Sequence, residues 1–196
     1  MAAFDTDTFL VREHVGFMKL HEAYDLLSAD GKIIGTAVER ASGWKKLLKL
    51  FVNKQMLGFT VEILNEQQQV LLTITRPFTI LRSVVSVFDA NATKIGYFRQ
   101  HLLSLGGAFD VHDAQDKKIA LLKGDWKGWN FKFTDDSGQE IGTVGRQWGG
   151  IAKELFTNAD NYVVHIERSK VTDVKQVQLM LAAALCIDMV LKEHDG

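Results

Sequence analysis

Apolar and polar positions alternate along most of this chain, and the alternation comes in pairs. Five stretches share one layout, two alternating runs around a polar turn: YDLLSADGKIIGTAVE, FTVEILNEQQQVLLTIT, SVVSVFDANATKIGYFRQ, FDVHDAQDKKIALLK and FKFTDDSGQEIGTVGRQ. Aligned on Ser28, Asn65, Asp89, Asp113 and Asp135, each has an apolar residue six positions on: Ile34, Leu71, Ile95, Ile119 and Ile141. The turns are rich in Asp, Asn, Gly and Ser, which tolerate turn geometry and bond their own backbone. Each unit predicts a β-hairpin. Period-2 alternation at Phe59, Val61 and Ile63, and at Phe131 and Phe133, gives each strand one buried face. The hairpins supply ten strands, and runs at 9–12 and 162–168 bring the total to about twelve. One-faced burial suits antiparallel pairing, because parallel strands are usually apolar on both faces. A dozen meandering strands make either a sandwich or a closed barrel, and closure removes exposed edges.

The pattern changes near the end. Residues 173–192 contain no Gly or Pro and are rich in Ala, Leu, Met, Lys and Gln, which favour helix. Asp173 at the start and Lys192 at the end suit the helix dipole. A helix of about 20 residues spans roughly 30 Å, enough to cross a bilayer. Its unbroken apolar part, LMLAAALCI, is nine residues long, bounded by Gln178 and Asp188. A spanning helix needs about 20 predominantly apolar residues. A helix apolar nearly all round has to be buried, and a barrel of about twelve strands is wide enough to enclose one. Ala182, Ala183 and Ala184 keep its middle narrow. The expectation is a mainly β fold: one domain over 1–196, a closed antiparallel barrel of about twelve strands around a hydrophobic C-terminal helix.

Composition narrows the partners. A net charge of −1 gives no global field to steer nucleic acid, so an electrostatic partner has to be met by a local patch. The single cysteine, Cys186, excludes an internal disulfide and a Cys-based metal cluster. The opening MAAFDTDTFLVREH carries Asp5 and Asp7 where a secretion signal needs positive charge, so a cytoplasmic protein is expected. GxSxG, HExxH, Walker A and GxGxxG motifs are all absent. His112 beside Asp113 reads as a base and its orienting partner or as an exposed turn pair, the latter favoured. Cys186 in the apolar run reads as an inert core thiol. Asp188 needs a structural partner or a place near the barrel mouth, since a lone buried charge is costly. Trp126, Trp129 and Trp148 read as core before they read as a ligand wall. No enzyme activity, cofactor or metal is expected.

One segment carries a local patch. Trp44, Leu47, Leu48 and Phe51 share one face of a helix by their spacing. Lys45, Lys46 and Lys49 share the other, with Arg40 and Lys54 flanking. This is the layout of an interfacial amphipathic helix, and these residues are the candidate membrane- or lipid-binding set, with an anionic phospholipid surface as partner. The competing reading makes the apolar face a plug for one barrel end and the lysines its solvated side.

The C-terminal third, IGTVGRQWGGIAKELFTNADNYVVHIERSKVTDVKQVQLMLAAALCIDMVLKE, resembles the phospholipid scramblases. The resemblance rests on Arg146, Trp148, Gly149, Lys153, Glu154, Phe156, Thr157, Asp160, Asn161, Tyr162, Ile187 and Asp188 in order, with FTVEILNEQQQVLLTITRPF and KIGYFRQ upstream. That family is similar in fold to the tubby C-terminal domain and the LURP-one-related proteins, which implies a twelve-stranded barrel around a hydrophobic helix. It also implies a scramblase-related, lipid- or membrane-surface-binding protein, peripheral to the membrane. A protein-interaction scaffold and a carrier of a small apolar ligand are the alternatives. The sequence departs from the family's animal members, which carry a Pro-rich N-terminal region and lipidated Cys clusters. SGWKKLLKLFVNKQM and FTILRS stand where such clusters would fall. The family's proposed calcium segment is matched by NADNYVVHIERS, with Asn158 and Ser169 at positions that are acidic in the family. Calcium takes six to eight oxygens, several from carboxylates. Tight calcium binding beside Asp160 is therefore not expected.

Overall fold

A computed structural model describes residues 2–14, 23–40, 58–78, 83–101, 107–125, 128–146 and 161–192, with side chains as far as 187 in the last stretch. Twelve strands carry the fold: β1 (Thr8–Glu13), β2 (Ala23–Leu27), β3 (Ile33–Glu39), β4 (Phe59–Leu64), β5 (Val70–Arg76), β6 (Val84–Asp89), β7 (Lys94–Gln100), β8 (Ala108–Asp113), β9 (Lys118–Asp125), β10 (Asn130–Thr134), β11 (Glu140–Gly145) and β12 (Tyr162–Ile166). Each pairs antiparallel with its neighbours in sequence, and β1 pairs with both β2 and β12, so the sheet closes into a barrel rather than a sandwich.

The five aligned hairpins are one turn used five times. In each, the amide of the first turn residue donates to the carbonyl four residues on, and the amide of the fourth donates back. Asn65 N to Gln69 O and Gln68 N to Asn65 O, both 3.0 Å, are one instance. The fourth residue is left-handed every time: Gly31, Gln68, Ala92, Asp116 and Gly138 have φ between 58° and 81°. Every hairpin ladder then shifts register next to its turn. This is the hairpin in which a type I turn runs into a left-handed residue and a bulge. The aligned Asp or Asn makes it: one side-chain oxygen of Asn65, Asp89, Asp113 and Asp135 accepts two backbone N–H groups at 2.9–3.0 Å. Ser28 bonds Asp30 and the Lys32 carbonyl instead. The apolar residues six positions on all pack on the core.

The helix α1 (Val174–Lys192) occupies the barrel axis. Asp173 caps it, its carboxylate accepting the Lys175 amide at 2.9 Å. Val177 and every residue of 179–187 are at most 2% exposed. Burying each Leu, Ile or Met there is worth about 1.5–3 kcal/mol. The Ile-Gly steps of two hairpins make room. A Cβ on Gly96 would fall on the His112 carbonyl oxygen and 2.8 Å from Leu179, and one on Gly142 would lie 2.9 Å from Met180. Near its start the helix is tied to the wall by Gln176, whose amide donates to the Ile119 carbonyl at 3.3 Å. It runs from the barrel end that holds all five turns to the end where the odd strands through β11 finish.

Candidate functional site

The two barrel ends differ in construction. At the turn end, chemistry is absorbed by geometry. His112 does not address Asp113: its ring stacks on Tyr97 at 4.7 Å with planes 3° apart, and its Nδ1 lies 3.1 Å from the Asp116 carbonyl. Asp113 is spent on the two turn amides, so the structure assigns the pair a structural role. At the NADNYVVHIERS segment, Asn161 is buried and accepts the Glu13 amide at 3.3 Å, while Ser169 donates to Glu167 at 2.7 Å. The Ser169 hydroxyl holds the Glu167 carboxyl below its usual range. Asn158 and Asp160 lie outside the described residues. Among the described residues no three His, Cys, Asp or Glu side chains gather as metal ligands.

At the far end, where the six odd-numbered strands finish, each has a cation at its end or within two residues of it: Arg12, Arg40, Arg76, Arg99, Lys123 and Arg146. Arg12 and Arg40 are matched by carboxylates. Arg12 pairs with Asp25 at 2.7 Å, beside His14 at 2.6 Å on the other oxygen, and Arg40 pairs with Glu62 at 2.9 Å. Three rest on aromatic rings: Arg76 over Phe59 at 4.7 Å, Arg99 over Tyr97 at 5.4 Å, and Arg146 over Trp129 at 5.3 Å. A ring face attracts a cation through its quadrupole. Lys123 is exposed and stands opposite Lys132 across the sheet, where like charges repel. This series was present in the sequence as one basic residue at or near the end of every second strand, a signal visible only once the strands are paired.

Trp129 packs between Phe131, at 6.2 Å, and Tyr162, at 5.1 Å, as part of the wall against the core. Trp126 and Trp148 lie outside the described residues. Cys186 is buried on the helix and its thiol is pushed up to about 12 by desolvation, with Arg76 pulling weakly the other way, as an inert core thiol should be. The side chain of Asp188 lies outside the description. So does the whole candidate set of Trp44, Lys45, Lys46, Leu47, Leu48, Lys49, Phe51 and Lys54. The described chain leaves at Arg40 and returns at Gly58, both at the far end. On the outer wall, a groove of about 410 Å³ crosses β10 to β12 between Asn130, Thr143, Gly145, Val163 and His165. Its two carboxylates are engaged, Glu140 with Lys132 at 2.7 Å and Glu167 with Ser169.

No helix among the described residues is long and apolar enough to cross a membrane. The wall carries Asp25, Glu62, Asp110, Lys123 and Lys132 in ion pairs or exposed, while the interior is apolar. This is the reverse of a membrane-spanning barrel, whose outer face is the apolar one. The architecture therefore defines a helix-filled barrel, apolar inside and charged outside, of the tubby-like kind. The scramblase family model matches residues 5–194, and the chain belongs to the scramblase family. It is 34% identical over 153 residues to phospholipid scramblase 1 of Mus musculus, covering 70% of this chain and 46% of that protein. It is 19% identical over 215 residues to Altered inheritance rate of mitochondria protein 25 of Saccharomyces cerevisiae, covering 92% and 65%. A phospholipid scramblase family protein of Schizosaccharomyces pombe is 21% identical over 202 residues, covering 90% and 51%. The chain thus spans about half to two thirds of the length of these curated relatives. No solved structure matches.

Proposed function

We propose that the protein is a cytoplasmic, peripheral lipid-binding member of the scramblase family that meets an anionic phospholipid surface through the segment containing Trp44, Lys45, Lys46, Leu47, Leu48, Lys49, Phe51 and Lys54. Family membership across residues 5–194 is the observation that carries this reading. The sequence of the segment supports it: an apolar stripe beside clustered lysines in a chain of net charge −1. Each basic residue near an anionic surface is worth about 1 kcal/mol. Four lysines then give on the order of 4 kcal/mol, which is millimolar affinity. Insertion of Trp44 and Phe51 supplies the rest, so binding is weak, reversible and reduced by salt, exposed charges being screened within about 8 Å at physiological ionic strength. The test is co-sedimentation with phosphatidylserine vesicles of the wild type beside Lys45→Glu/Lys46→Glu/Lys49→Glu, at low and high salt. Loss of pelleting in the variant is expected. Equal pelleting of both proteins would assign the segment a structural role and favour the scaffold alternative.

Movement of lipid between leaflets, the activity in the names of the mammalian relatives, is the finer proposal. Reconstitution with a fluorescent phospholipid tests it directly. The carrier alternative has less support, since α1 already occupies the place an apolar ligand would take. The proposed action needs no catalytic group and no metal.

A further inference from the structure

We infer that the barrel docks on anionic membrane end-on, with the far end toward lipid and the five-turn end toward solvent. This rests on the lipid-surface reading above and adds its orientation. Three observations carry it.

The first is the acidity of the turn end, where three of the five turns are braced by a carboxylate. Asp30, Glu66, Asp89, Asp113, Asp135 and Asp136 all lie in or beside the five turns, and Asp5 and Asp7 precede β1 at the same end. Asp89, Asp113 and Asp135 each hold two backbone amides with one side-chain oxygen, which fixes these carboxyls at the turns. Bonds from Ser28 to Asp30 and from Ser137 to Asp135 hold these carboxyls below their usual range, so they stay ionised at an acidic membrane surface. Lys32, Lys94, Lys117, Lys118 and Lys170 offset this only in part. An anionic surface repels this end.

The second is the charge of the opposite pole. Its described rim is close to neutral, because Glu13, Glu39 and Asp125 stand among the strand-end cations. In sequence, the connections between these strand ends add Lys19, Lys45, Lys46, Lys49, Lys54, Arg82, Lys127 and Lys153 against Glu22, Glu154 and Asp160, an excess of basic charge. The chain's small net charge therefore hides two poles. A helix of about 19 residues is roughly 28 Å long, and exposed charges are screened over about 8 Å. With the basic pole on the membrane, the acidic pole is out of range.

The third is Phe78. It follows Arg76 and Pro77 at the far end and is 57% exposed. The other exposed large apolar side chain among the described residues, Ile33, is 43% exposed at the turn end, next in sequence to Lys32, which pairs with Glu66 at 3.9 Å. An exposed aromatic ring beside basic residues suits the interface between headgroups and acyl chains.

Single-site labelling tests the orientation, because the chain has one cysteine and it is buried. In a Cys186→Ala background, Phe78→Cys and Ser137→Cys are each given an environment-sensitive fluorophore and mixed with vesicles of phosphatidylcholine, with and without phosphatidylserine. On phosphatidylserine vesicles the label at 78 is expected to shift to the blue and the label at 137 to stay as in water. A shift at 137, or pelleting with no shift at 78, overturns the orientation and leaves the lipid-surface reading standing. No pelleting overturns both, and equal pelleting on phosphatidylcholine alone overturns the anionic partner. An independent arm reverses charge without labels: Arg40→Glu with Arg146→Glu is expected to weaken pelleting roughly tenfold, and Lys32→Glu with Lys117→Glu to leave it unchanged or stronger. The opposite ranking overturns the proposal.

Discussion

The five turns at one end of the barrel and the six connections at the other follow different rules. Each turn spans the same few residues and places a left-handed residue fourth and a bulge beside it, and four of the five are braced by an Asp or Asn oxygen. The connections vary in length and share no sequence, and the basic charge and exposed Phe78 are found among them. Repetition marks what the fold needs; departure from repetition marks where chemistry is free to differ. The helix joins the two, capped by Asp173 at the turn end and running toward the connections.

The sharpest way to break the comparison is through the helix, on which both ends depend. Ala183→Asp places a charge where the side chain is 2% exposed among apolar neighbours. An unpaired buried charge costs several kcal/mol, against a whole-domain stability of about 5–15 kcal/mol. Loss of the cooperative melt, followed by circular dichroism, is expected. A variant that melts like the wild type would mean that the helix does not hold the wall together. Gly96→Ala is next. Its methyl group would press on the β8 backbone and on Leu179, and overpacking of this kind costs about 1–3 kcal/mol. Denaturant unfolding should show a lower midpoint with an unchanged slope.

The turns predict effects of opposite sign at one structural position. Ala92 and Gly138 both stand at the left-handed fourth place, with φ of 58° and 80°. Left-handed backbone costs an L-residue roughly 1 kcal/mol more than it costs Gly. Ala92→Gly should therefore stabilise by up to about 1 kcal/mol, and Gly138→Ala should destabilise by a similar amount. Shifts of the same sign in thermal melting would show that the turns are alike in outline only.

These particulars show why parts of the molecule were legible in the sequence. Asp113 and Asn65 act within four residues of themselves, so the turns could be read from residue types, and period-2 burial gave the strands. The apolar run 179–187 announced a buried helix by composition alone. Local signals did not reveal that Gly96 and Gly142 are small because Leu179 and Met180 lie against them, more than thirty residues away in the chain. Nor did they show that Asp25 binds Arg12 and His14, which depends on the register of β1 against β2. Gln68, Ala92 and Asp116 gave no warning of positive φ, because the bracing Asp or Asn three residues earlier forces the conformation. The candidate lipid-binding segment was legible as a helical period of Trp44, Leu47, Leu48 and Phe51; it lies outside the described residues, and its role rests on the binding experiment.

The smallest effect expected is on acid stability, and it isolates what one bracing carboxylate does that an amide cannot. The Ser137 hydroxyl, and then the Gln139 amide, hold the Asp135 carboxyl below the usual carboxylate range. A carboxyl depressed in the folded state stabilises fully above its unfolded pKa, and that stability is lost as pH falls through the folded value. The window is therefore below about pH 4. Asn65 shows that an amide oxygen can brace the same turn, accepting the Gln67 and Gln69 amides at 3.0 and 2.9 Å. Asp135→Asn should accordingly keep the turn, melt close to wild type at neutral pH, and lose less stability between neutral pH and the acid limb. The difference is small because water reaches and screens the partly exposed Asp135, and because Asp30 and Glu167, depressed in the same direction, still titrate in both proteins. Melting temperatures measured from pH 7 down to about pH 2 provide the test. Parallel curves would mean that the charge on Asp135 is irrelevant to the turn and that only its oxygen matters.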